Sequence, residues 1–216
     1  MKDPRFAKFV VLVNGALPLG ILGWDAYQGR LGANPTNEAI HITGVMALIF
    51  IALTLAVTPV RKITGWNWLS YFRRMLGLYA FFYALVHFSI YFALQRSFSV
   101  RGVIEDTSRR PFIFFGMTAL VLMIPLAITS TNAMIKRLGG AKWKRLHQLV
   151  YLVAIAAAIH FWMNGKVVGV GQKVFAAAVV VLLGWRVWAW ERTRAAVAVR
   201  ARLVEKPAEM TGPRED

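Results

Sequence analysis

Apolar residues fall into six stretches with few charges inside them, at roughly 8–27, 41–59, 75–94, 112–131, 146–163 and 172–190. At the helical rise of about 1.5 Å per residue, a stretch of about 20 residues crosses a hydrocarbon core about 30 Å thick. Lipid offers no partner to backbone N–H and C=O groups, so a span of this composition must be helical. The pattern predicts an all-α protein, a six-helix transmembrane bundle.

The polar residues between the stretches supply the punctuation. Thr36-Asn37-Glu38 offers N-cap chemistry before the second span, while Thr58-Pro59 and Gly139-Gly140 read as helix stops. The outer connection Gln95–Pro111 has room for a short surface helix or an ordered loop. An Ala/Arg-rich stretch beyond Glu191 can prolong the sixth helix, and Lys206–Asp216, polar and with two prolines, is expected to be disordered. Residues 1–190 are thus expected to form one transmembrane domain and 191–216 a cytoplasmic tail. No internal repeat is visible, and no Gly-rich dinucleotide or phosphate-binding motif is present.

Charge orients the bundle. All ten carboxylates lie outside the spans or at their edges, which counts against a proton pump or cation-coupled transporter built on a buried acid. Bases cluster in alternate connections: Lys2, Arg5 and Lys8 before the first span, Arg61, Lys62, Arg73 and Arg74 in the second connection, and Lys136, Arg137, Lys142, Lys144 and Arg145 in the fourth. The positive-inside rule then places both termini in the cytoplasm. The net charge of +16 is mostly topology. No nucleic-acid partner is expected, whereas Arg192, Arg194, Arg200 and Arg202 suit anionic membrane lipid. With no cysteine, disulfides, thiolate ligands and iron–sulfur clusters are excluded, so redox chemistry requires a bound cofactor.

The four histidines carry the candidate chemistry. His87 lies 13 residues past Arg74 and His160 15 residues past Arg145, about 20 and 22 Å along their helices. Two imidazoles at matched depth can clamp one haem iron; the alternative for each is a core residue bonded to a neighbouring hydroxyl or carbonyl. His147 precedes His160 by 13 residues, about 20 Å and about 140° round an ideal helix, so it does not stack simply on the same face. It could hold an inner cofactor if the helix start is distorted, but the matching place on the third span holds Arg73 and Arg74. His41, at the outer start of the second span, is more often a structural type of residue. Phe81, Phe82, Tyr83, Phe88, Tyr91, Phe92, Phe161 and Trp162 could pack a porphyrin or face lipid. Arg73, Arg74, Arg109 and Arg110 could pair with haem propionates or a flavin phosphate.

Five segments together point to a family: Leu31-Gly32-Ala33-Asn34-Pro35, His41-Ile42-Thr43-Gly44, Arg73-Arg74-Met75-Leu76-Gly77-Leu78, Ala127-Ile128-Thr129-Ser130 and Trp143-Lys144-Arg145-Leu146-His147-Gln148-Leu149-Val150-Tyr151. In these segments, in order over about residues 8–190, the chain resembles MsrQ, the haem-binding membrane subunits of bacterial methionine-sulfoxide reductase systems. The resemblance implies a multi-pass protein of the bacterial inner membrane with a ferric-reductase-like domain. It implies b-type haem (heme b) as cofactor, flavin mononucleotide (FMN) as a second, and haem-associated histidines at His87, His147 and His160. It also implies electron delivery to a periplasmic molybdopterin subunit, MsrP, from a cytoplasmic flavin reductase or membrane quinol, with no catalysis on methionine sulfoxide by this chain alone. Two other readings stand beside it: a stand-alone ferric or quinone reductase, and a non-redox permease or assembly factor whose histidines only pack.

Overall fold

A computed structural model describes the backbone of residues 4–165 and 168–209 and the side chains of residues 6–165 and 168–198. Lys2, Arg5, Arg200 and Arg202 of the basic clusters therefore lie outside the described side chains, as do residues 166–167 and 210–216 altogether. Nine α-helices are described, in the order α1 (Pro4–Tyr27), α2 (Pro35–Thr64), α3 (Arg73–Ile90), α4 (Val100–Arg109), α5 (Pro111–Ile128), α6 (Asn132–Leu138), α7 (Gly140–Leu146), α8 (Leu149–Met163) and α9 (Val170–Glu209). Six segments are long and apolar enough to span a membrane: 6–27, 35–64, 73–95, 111–128, 140–163 and 170–198. The chain is an all-α, multi-pass membrane protein.

The boundaries follow from local chemistry. Asn34, rather than the Thr36–Glu38 triplet, caps α2: its side chain accepts from the Asn37 N–H at 3.1 Å, and Pro35 occupies a first-turn position where no N–H is needed. Gly65, at φ +75°, closes the helix through the left-handed region. Between α3 and α4 a single π turn, Tyr91–Gln95, is followed by Ser97 and Phe98, both at positive φ. Ser99 then caps α4, so the long connection after the third span holds the anticipated surface helix. Gly139, at φ +76°, separates α6 from α7 as expected of a glycine stop.

Thr58-Pro59 does not stop α2, which runs through Pro59 to Thr64. Proline at 59 removes the N–H that would bond the Leu55 carbonyl, and an orphaned carbonyl is costly in a membrane. Arg186 of α9 repairs the gap: its Nη2 donates to the Leu55 carbonyl at 3.0 Å and reaches Thr58 Oγ1 at 3.5 Å, while Nη1 donates to the Tyr151 hydroxyl of α8 at 2.7 Å. One guanidinium thereby ties α2, α8 and α9.

The core is built from α2, α3, α5, α8 and α9, with Leu55, Tyr83, Val153 and Ala154 fully enclosed. Its two most extensive helix interfaces are α2 with α3 and α5 with α8. Ala154, Ala156 and Ala157 on α8 permit close backbone approach. Thr43 and Thr54 satisfy their hydroxyls on carbonyls of their own helix, so neither needs water. Against this core α1 is held by Tyr79 and Tyr83 of α3, which donate to the carbonyls of Leu12 and Gly15. The large exposed apolar side chains, such as Phe9, Leu17, Ile21, Val180 and Val181, face outward where lipid would lie.

The Pro59–Arg186 coupling is testable by a double-mutant cycle. Arg186→Met is expected to lower stability in detergent by about 1–3 kcal/mol, the cost of an orphaned buried acceptor. In a Pro59→Ala background, where the restored backbone N–H can bond the carbonyl, thermal melts should show a smaller loss.

Candidate functional site

His87 on α3 and His160 on α8 meet inside the bundle. Their ring centroids are 6.1 Å apart and their planes cross at 88°. His87 Nδ1 lies 2.8 Å from the Ile40 carbonyl of α2, and His160 Nδ1 lies 2.6 Å from the Phe112 carbonyl of α5. A carbonyl can only accept, so each Nδ1 carries the proton and each Nε2 keeps its lone pair for a ligand.

A glycine makes each contact possible. A Cβ built on Gly44 would stand 2.9 Å from His87 Nδ1, and one on Gly116 would stand 2.7 Å from His160 Nδ1. Gly44 follows Ile40 by one helical turn and Gly116 follows Phe112 likewise. The same device occurs in both helix pairs, α2 with α3 and α5 with α8, with 47 and 48 residues between carbonyl and histidine. This is the repeat that the sequence hides, because one glycine and one histidine per pair carry it. Neither glycine was among the residues predicted for the site, although each is a small residue set in an otherwise bulky span.

The pair opens on a cavity of about 930 Å³. That lies at the upper end of sites for cofactor-sized ligands. Val45, Leu48, Leu120 and Met123 give it apolar walls, and Phe88, Phe112 and Phe161 add aromatic ones. At about 2 Å per metal–nitrogen bond, two imidazoles on opposite sides of one metal ion place their centroids about 6 Å apart, as observed here. The residues present therefore fit a haem held by both histidines.

At the outer mouth the lining turns polar, with Arg30, Asn34, Asn37, His41, Gln95 and Arg110. Arg30 was not foreseen; Arg110 was, as a partner for propionates. Asp106 organises this rim. Buried at the C-terminal half of α4, it accepts from the Tyr91 hydroxyl at 2.5 Å, pairs with Arg96, and holds Arg110 Nε at 3.4 Å. Tyr91 is one turn beyond His87, and Arg110 is two residues before Phe112. One carboxylate thus joins both walls of the histidine site.

His147, Arg73 and Arg74 lie elsewhere, around a second cavity of about 290 Å³ near the basic end. The start of the predicted fifth span is indeed distorted: α7 ends at Leu146 and α8 begins at Leu149, leaving His147 in the turn between. Its ring stacks on Trp143 with centroids 3.8 Å apart, and Nδ1 bonds the Trp143 carbonyl at 3.1 Å. Nε2 faces Ser130 Oγ at 3.4 Å, but that hydroxyl already donates to the Leu126 carbonyl at 2.7 Å. The Nε2 lone pair is therefore open to a ligand. Arg73 is half-buried, and Arg74 donates to Asn132 Oδ1 at 2.6 Å.

Comparison with known proteins shows the family. A family model described as "Ferric reductase like transmembrane component" matches residues 43–158, which include His87 and end before His160. The chain is 45% identical over 188 residues to a protein of Herminiimonas arsenicoxydans named "Protein-methionine-sulfoxide reductase heme-binding subunit MsrQ", covering 86% of each. It is 44% identical to a protein of the same name from Ralstonia nicotianae, over 90% of this chain and 89% of that one. A Deinococcus radiodurans relative of that name is 48% identical over 72% of this chain and 77% of its own. No solved structure gives a significant match.

Asp106 gives the outer rim a pH dependence. Burial alone would raise its carboxyl pKa, but the hydrogen bonds from Tyr91 and Arg96 and the charges of Arg110 and Arg96 outweigh this and hold it below the usual value. A depressed carboxyl contributes stability that is complete above its unfolded pKa and is lost as pH falls through the folded one. Asp106→Asn should accordingly destabilise the protein at pH 7 by about 1–3 kcal/mol. The variant should also lose part of the parent's extra acid sensitivity below about pH 4, seen by melts across pH.

Proposed function

From the chain's membership of the MsrQ family, the haem-binding subunits of protein-methionine-sulfoxide reductase, we propose that it is a transmembrane electron-transfer subunit carrying b-type haem between His87 and His160. The observation that carries this reading is the facing imidazole pair at 6.1 Å, each proton-fixed on its own carbonyl. When bound, haem supplies one-electron redox chemistry that the side chains of a cysteine-free protein lack.

The chain's residues do the rest. His87 and His160 would hold the haem iron between them, which would favour outer-sphere electron transfer over chemistry at an open iron site. The Ile40 and Phe112 carbonyls hold the imidazoles in one tautomer and one orientation. Leu48, Leu120 and Met123 exclude water, and Arg30 and Arg110 offer cations for the propionates at the rim.

At the other end, Arg73 and Arg74 suit the phosphate of FMN in the smaller cavity, with His147 beside it as a further cofactor ligand. Under the orientation expected from the charge rule, that end faces the cytoplasm, where a flavin reductase or membrane quinol gives up electrons. The rim near α4 then faces the periplasm and docks the molybdopterin subunit MsrP, which alone acts on methionine sulfoxide. The domain is residues 1–190, and 191–216 form the cytoplasmic tail.

Optical and paramagnetic spectra test the assignment. His87→Ala and His160→Ala should each abolish a low-spin b-type spectrum, whereas His147→Ala should leave it; a full spectrum in either of the first two variants overturns the pairing. Gly116→Val should mimic His160→Ala, since its side chain occupies the imidazole's place. Orthogonal imidazole planes should give the ferric protein a strongly anisotropic low-spin signal in electron paramagnetic resonance.

A further inference from the structure

Beyond its repair of the Pro59 gap, Arg186 holds a charge that the fold does not neutralise. Its Nε is buried with no hydrogen-bond partner among the described residues. Thr58, which its Nη2 reaches, is one turn before Arg61 and Lys62 on the same helix, so those two cations stand on the face that Arg186 approaches. Lys62 sits 5.4 Å over the ring of Trp185, the residue next to Arg186. Every ion pair among the described residues is at the opposite end, on Asp25, Glu105 or Asp106.

A charge rule for loops explains cations outside the membrane. It does not explain why Arg186 keeps a buried, unpartnered Nε on the face that carries Arg61 and Lys62, since like charges in a low dielectric repel. An anion between them removes the repulsion and gives Arg186 Nε an acceptor. The aromatic residues of α9 locate the level: Trp185, Trp188 and Trp190 form a short belt, with Arg192 at 4.3 Å over Trp188 and Arg194 at 3.6 Å over Trp190. Such belts lie at the headgroup boundary, and basic pockets between helices on that side take anionic headgroups.

We propose that Arg61 and Arg186 form an interhelical site for the phosphodiester of an anionic phospholipid at the basic end of the bundle. The ligand chemistry is a phosphate oxyanion, with Arg186 as the buried donor and Arg61 closing over it.

Native mass spectrometry of the full chain, purified in neutral detergent and exposed to equal phosphatidylglycerol and phosphatidylcholine, tests this. One phosphatidylglycerol should be retained in preference, and Arg61→Gln should weaken its retention about fivefold, the effect of one interfacial cation. Arg194→Gln, an exposed charge farther along α9, should leave retention unchanged. Equal retention of the two lipids overturns the site. So does an equal loss in Arg61→Gln and Arg194→Gln, which indicates diffuse attraction, and so does an Arg61→Gln variant that retains lipid as the parent does. Displacement of the lipid by millimolar inorganic phosphate overturns the lipid assignment and leaves a free-phosphate site. Comparison of variants with unchanged melting temperature keeps unfolding out of the reading.

Discussion

Everything around the histidine pair depends on a hydrogen bond that needs a glycine. A helical carbonyl already accepts from the N–H four residues on, yet keeps a second lone pair directed outward. A ring N–H can reach it only where the residue one turn further on has no side chain. Gly44 and Gly116 meet that condition at Ile40 and Phe112. The bond satisfies a polar proton inside an apolar bundle, where leaving it unmade costs about 1–3 kcal/mol, and it fixes which nitrogen is free. It also sets how near α2 must lie to α3 and α5 to α8, which accounts for these being the most extensive interfaces of the fold.

Polar groups elsewhere in the bundle obey the same constraint. Tyr79 and Tyr83 place their hydroxyls on α1, Arg186 covers the carbonyl freed by Pro59, and Asp106 collects Tyr91, Arg96 and Arg110. These three arrangements hold the helices on which the histidines are mounted. Asp106 does so across the rim, from α3 to the start of α5, and Arg186 does so near the basic end, from α2 to α8. Polar contacts thus brace the bundle on both sides of the histidine pair.

The six spans, the histidine pair and the surface helix after Gln95 were legible because each depends on residue type at a spacing. Hydropathy marks a span, and counting from Arg74 and Arg145 brings His87 and His160 to one depth. What remained hidden depends on a partner in another segment. Gly44 means little until His87 is seen against it, and Arg186 is only a charge in an apolar run until Pro59 is found opposite. Thr58-Pro59 misled for the same reason: proline breaks an isolated helix, but a donor from α9 lets α2 continue. The distortion at His147 was foreseeable as a requirement and not as a fact, since the turn between α7 and α8 rests on Trp143 stacking on the ring.

The two ends of the bundle differ in a way that bears on the proposed electron path. At the rim, cations are matched by Asp106, Glu105 and Asp25; at the basic end Arg61, Arg73, Arg74 and Arg186 have no described acid. Positive charge stabilises the reduced form of a nearby carrier, and more strongly where the dielectric is low. Under the proposed direction of electron flow, an uncompensated basic end would hold an electron where it enters and oppose its passage to the histidine pair. A phosphate at the proposed Arg61 and Arg186 site would offset that field and level the path, so occupancy of that site and ease of transfer would be linked by the same arginines.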